Sequence, residues 1–241
     1  MTDRLAAWLE ELDRQPLPIP ASQYASLHAA LSDSRRSLRD IADQLQGSPT
    51  LALSILREAN CAESARDNPA ESLEVALSRL GLARASQLLK TLPSIQDADM
   101  PRVLAQMLLI SQHAMQQASG LFGARLARLW QEIHWGSLLT MAPVWALANA
   151  RPQLLEQWQQ RVLVQGEPTL RVERELLGMR LLPICLALAE RWRLPQWVIQ
   201  AIACWPATGA CWSGPCASPA TTSRPCSSNS NSMPSPISPA G

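Results

Sequence analysis

The chain has 241 residues, 47% of them hydrophobic and only 17% charged, with a formal net charge of +1. That length allows one large core or two small ones. The near-neutral charge and a mean hydropathy of −0.05 give no sign of the clustered basic surface by which a protein holds nucleic acid through its phosphates. The longest uncharged run, His134–Ala150, is shorter than the roughly 20 apolar residues of a bilayer span and carries Pro143 and Asn149.

The opening MTDRLAAWLEELDRQ mixes acids with apolar residues and so lacks the continuous hydrophobic stretch of a signal peptide; a cytoplasmic protein is expected. Leu5, Trp8, Leu9 and Leu12 form one helical stripe, and Tyr24, Leu27 and Leu31 a second. Between them PLPIP at 16–20 favours an extended backbone. Ser37 caps a helix bearing Leu38, Ile41, Ala42 and Leu45 that Gly47 ends, and Ser48-Pro49 opens the next, with Leu51, Ala52, Ile55, Leu56 and Ala59. Ser72 caps another, carrying Leu73, Ala76, Leu77 and Leu80 and closed by Gly81. Residues 82–92, 102–119, 124–150, 154–164, 172–192 and 196–203 also read as helices. No stretch alternates with period two long enough to predict a strand. The expected fold class is all-α, a compact multi-helix bundle, with an N-terminal helix over 1–16 and a helical domain over 17–203.

From Cys204 to Gly241 the language changes. Pro, Ser, Ala, Thr and Cys dominate, and Arg224 is the only charge. Such a segment cannot bury enough surface to offset its chain entropy, which predicts a disordered tail. Cys204, Cys211, Cys216 and Cys226 have neither Cys-x-x-Cys spacing nor a nearby His, so a zinc site is not expected. With GC-rich codons, the frame two nucleotides on can read LASDRRLLVRALRIARDN, an amphipathic helix. The tail is therefore also readable as a frameshifted continuation of a longer protein.

Nine tryptophans stand against one Tyr and one Phe. Their spread along the chain predicts core and groove filling rather than a stacking platform for bases. Cys61 and Cys185 lie within helical patterns and are expected to be reduced, buried thiols.

Three stretches resemble the HDOD domain, the bacterial HD-related output domain. The first is LPIP at 17–20 followed by SLRDIADQLQGSPTLALSILREANCA at 37–62, with Ser48, Pro49, Leu51, Leu53, Leu56, Ala59, Asn60 and Cys61 at the family's marked positions. The second is SLEVALSRLGLARASQLL at 72–89, and the third ELLGMRLLPICLALAERWRLPQWVIQAI at 175–202. The resemblance implies an HD-like helical fold and a role in signal transduction. Active HD-type phosphohydrolases hold a divalent metal that activates water and neutralises phosphate. Set against that pattern, the upstream His is replaced by Ile110, the His-Asp dyad by Thr140-Met141, a later His by Leu181 and a Gly by Cys185. The expectation is a former metal pocket filled by Ile110, Met141 and Leu181, with no catalytic, cofactor-binding or metal-binding residue left.

No other constellation takes its place. None of His28, His113 and His134 is followed by an acid, and no two lie at i and i+4. Glu132 with His134, and Glu173 with Glu175, sit at i, i+2 and so on different helix faces, which predicts solvated side chains. Gly120 and Gly123 form no phosphate loop. The expected function is a non-catalytic regulatory module that binds a protein partner or a small ligand, with no membrane association. The Asn60–Asn68 stretch is a candidate recognition loop, set against the simpler reading that Asn60 bonds backbone at a helix end. Two alternatives remain: a metal-dependent phosphohydrolase acting on nucleotides, and a nucleic-acid-associated helical module.

Overall fold

In the computed structural model, residues 2–33, 35–61, 68–122 and 130–205 are described. The expectations for a disordered or frameshifted tail and for most of the 60–68 loop lie outside them.

Three helix starts follow the serines that the sequence singles out, Ser37, Ser48 and Ser72. Helices α1 (Thr2–Arg14) and α2 (Ala21–Ser32) flank an extended PLPIP segment. Ahead of α3 (Leu38–Leu45) a capping box forms: Ser37 Oγ accepts from Asp40 N at 3.1 Å, and Asp40 Oδ2 accepts from Ser37 N at 3.2 Å. Such a cap stabilises a helix by about 1 kcal/mol. Helix α4 (Pro49–Cys61) begins at the expected proline, and Ser48 O accepts from Ala52 N; the Ser48 hydroxyl itself makes no hydrogen bond. Ser72 Oγ caps α5 (Leu73–Leu80), and Gly81, at φ +79°, turns the chain into α6 (Leu82–Thr91).

Two features depart from the expected layout. Ile19–Pro20 (β1) pairs in parallel with Ser94–Ile95 (β2), a two-residue rung with Ile19 N bonded to Pro93 O at 2.8 Å. More consequentially, two long predicted helices are each divided. After α7 (Arg102–Phe122), the 124–150 stretch contains α8 (Trp130–Leu139) and α9 (Ala142–Ala150). The junction falls at Thr140-Met141 because Pro143, within the first turn of α9, has no N–H to continue the ladder from α8. Beyond α10 (Pro152–Gln159) comes a π-helical turn, Gln160–Val164. The 172–192 stretch then divides into α11 (Thr169–Leu176) and α12 (Leu181–Arg191) around Gly178 at φ +73°, and α13 (Gln196–Ala203) follows.

The core centres on α9, which is apolar all round and buried from Ala142 to Ala148. It packs against α1, α7, α10 and α12, with Trp145 wholly enclosed. A second set of contacts joins α4 to α5 and α2 to α6. Trp135 and Trp192 are buried, and Trp8, Trp158, Trp197 and Trp205 half-buried, in the filling role expected of them. Among the described residues no helix is long and apolar enough to cross a membrane.

Candidate functional site

Ile110, Thr140, Met141 and Leu181, the four positions expected to stand in place of metal ligands, do not form a filled pocket. Helix α7 buries Val103, Leu104, Met107, Leu108, Ser111 and Met115, a stripe that leaves Ile110 outside. Ile110 is 50% exposed and faces α10. The expectation that Ile110 plugs a former metal cavity with Met141 and Leu181 is therefore corrected: the residue that α7 turns inward is Ser111. Its hydroxyl donates to Met107 O at 2.9 Å and accepts from Trp145 Nε1 at 3.1 Å. This satisfies the one polar atom of the buried indole.

Thr140 and Met141, half-buried, form the α8–α9 junction. The Thr140 hydroxyl bonds back to Gly136 O within its own helix turn, and Met141 precedes α9 without a side-chain cap. Leu181 is the first residue of α12, and its N–H is taken by Glu173 Oε2 at 3.1 Å. Glu173 is only 7% exposed, so the expectation of a solvated side chain is wrong for it. A carboxylate from α11 here offsets the positive end of α12. Four residues on, Cys185 is fully buried; burial and the neighbouring Glu173 raise its thiol pKa far above the usual range, so it stays protonated and inert. Cys61, by contrast, is exposed at the end of α4, against the expectation of a buried thiol.

The histidines are scattered. His28 is half-buried and stacks on Tyr24, with ring centroids 6.3 Å apart, and His113 is exposed. His134 is buried, its Nδ1 2.9 Å from Ser119 Oγ, and burial lowers its pKa. Glu132 and Glu175 are exposed. Among the described residues no three His, Cys, Asp or Glu side chains gather where they could hold a metal ion.

What the family-matching segments do build is a clamp. Asn60 is completely buried; its Nδ2 donates to Arg193 O at 2.7 Å and its Oδ1 accepts from Ala70 N at 2.7 Å. Arg193 returns a bond from Nη1 to Asn60 O at 2.9 Å and sits at φ +50° in the α12–α13 turn. Asn60 thus bonds backbone, as the simpler reading held, but across the molecule rather than at its own helix end.

Beside the clamp, Asp13 on α1 collects three donors: Arg57 Nη2 at 2.6 Å, Arg191 Nε at 2.9 Å and Trp192 Nε1 at 2.8 Å. Arg57 also lies 4.4 Å over the Trp192 ring. Neither Asp13 nor Arg57 stood out in the sequence. An acid among Glu10 and Glu11 at the end of α1 and an Arg next to Glu58 in α4 were the available signals, and neither names its partner.

The HDOD domain model matches residues 17–206. Among solved structures, the MmoQ response regulator from Methylococcus capsulatus is 22% identical with a TM-score of 0.58, covering 79% of this chain and 78% of that one. A virulence factor from Campylobacter jejuni is 15% identical with a TM-score of 0.63, covering 84% and 74%. Both likenesses establish the shared fold. No curated protein matches in sequence. With about four-fifths of its length covered by the family model and the LPIP, Ser-Pro and Asn60 segments in their places, the chain belongs to the HDOD domain family.

Proposed function

We propose that the protein is a non-catalytic regulatory module of bacterial signal transduction, acting by binding another protein. The observation that carries this reading is the α8–α9 junction. Where a working HD enzyme would present a His-Asp dyad, this chain has a hydroxyl already bonded to its own helix and a thioether. Neither supplies the hard, charged oxygen or imidazole donors that a phosphate-activating divalent ion requires. Two further features support it. Glu173, the buried carboxylate of this region, caps α12, and Cys185 beside it is held protonated. The fold is also shared with a protein described as a response regulator. What remains is a rigid helical scaffold, suited to presenting surfaces rather than to chemistry.

The test is calorimetric titration of the full chain with Mn²⁺, Mg²⁺ and Zn²⁺, together with hydrolysis assays on phosphodiesters and a nucleotide panel. The expected outcome is no stoichiometric ion binding and no turnover. Tight one-to-one binding of a divalent ion, or hydrolysis that survives repeated purification, would overturn the reading.

A further inference from the structure

Leu109 and Ile110 on α7 are 54% and 50% exposed, and Leu163 and Val164 on the π-helical turn are 69% and 71% exposed. All four line a single groove of about 540 Å³ between α7 and α10. One exposed leucine needs no explanation, whereas several in one concavity mark an interaction surface. The turn that raises Leu163 and Val164 is held firmly in place. Arg161 bonds both oxygens of Glu167, at 2.8 and 2.7 Å, and Glu175 Oε2 at 2.6 Å, while Arg171 takes Glu175 Oε1 at 2.8 Å. An apolar ridge ordered before binding loses little entropy on association, and π-helical turns recur at functional positions.

The walls carry one charge of each sign: Arg102 on α7 and Glu156 on α10, both exposed. Among the described residues neither has an ion-pair partner. The remaining lining is uncharged. A surface with a single cation, a single anion and an apolar centre complements itself once turned about a two-fold axis.

We propose that the α7–α10 groove is a two-fold interface between copies of this chain. Leu163 and Val164 of each copy seat against Leu109 and Ile110 of the other, and Arg102 of one pairs with Glu156 of the other, twice over. A different protein would have to supply both charges in the matching arrangement, whereas a second copy carries them already. The proposal is independent of the lost metal site.

Sedimentation equilibrium of the full chain under reducing conditions tests it, with thermal melts recorded for every variant. The wild type should dimerise, and Leu163→Asp, or Val164→Asp as a second variant, should be monomeric and melt cooperatively at the temperature of the wild type diluted below its dimer dissociation. Symmetry makes each charge reversal act on both ion pairs, so Arg102→Glu and Glu156→Arg should each weaken the dimer about tenfold. The double reversal should restore affinity to within about threefold. A wild type that stays monomeric up to on the order of 100 µM overturns the proposal and leaves the groove to another partner. A dimer indifferent to Leu163→Asp, or a double reversal as weak as the singles, overturns it as well.

Discussion

Where α1 and α4 meet the α12–α13 turn, a buried Asn60 and a half-buried Asp13 are both answered: between them they engage Ala70, Arg193, Arg57, Arg191 and Trp192. Along the α7–α10 groove the situation is reversed, with apolar side chains in solvent beside two charges that, among the described residues, have no ion-pair partner. The difference separates two kinds of requirement. A buried amide that joins distant segments specifies the fold, because any other packing would strand its partners. Exposed leucines specify nothing about the fold and are free to serve recognition.

The strongest way to break this comparison is Asn60→Leu. It leaves the Ala70 N–H and the Arg193 carbonyl without their partner, and each such loss costs about 1–3 kcal/mol. A drop of about 3 kcal/mol in unfolding free energy by urea titration is expected; a loss below about 1 kcal/mol would show that the clamp does not hold the fold. Next comes Asp13→Ala, which removes the acceptor from two guanidinium groups and an indole. These groups are only partly shielded from solvent, so the expected loss is smaller, about 1–2 kcal/mol.

His134 offers a pH-dependent test of the buried side. Burial lowers its folded pKa, with Asp43 opposing. As pH falls through about 6.5 the unfolded chain takes up a proton that the folded chain refuses. The contribution is therefore fully present above that pH and lost progressively below it. The denaturation midpoint should decline as pH falls below about 6.5, and His134→Asn should flatten the decline. The smallest effect sharpens the other half of the comparison: Leu163→Asp should leave monomer stability within about 0.5 kcal/mol of the wild type.

Much of the fold was legible because its signals are local. Ser37, Ser72, Pro49 and Gly81 mark helix ends through bonds and dihedrals fixed within a few residues. The two divided helices carried local signals as well, Pro143 and Gly178, but apolar periodicity running across both obscured them. The site was less legible. Family position alone placed Ile110 inward, although the 103, 104, 107, 108, 111, 115 stripe already sets it aside. The exposure of Cys61 and the burial of Glu173 depend on which elements pack nearby, and no spacing reveals that. Asn60 and Asp13 act across more than a hundred residues of chain, so their partners become visible only in three dimensions.

That separation has a consequence for synthesis. The polar anchors of α1 lie near the other end of the domain: Arg4 bonds Gly178 O, Trp8 Nε1 bonds Leu177 O, and Asp13 bonds Arg191 and Trp192. At about 5–20 residues per second on the ribosome, the first helix emerges roughly ten to thirty seconds before its docking site exists. Throughout that interval Leu5, Leu9 and Leu12 lack their final cover, so the nascent chain is most vulnerable at its beginning.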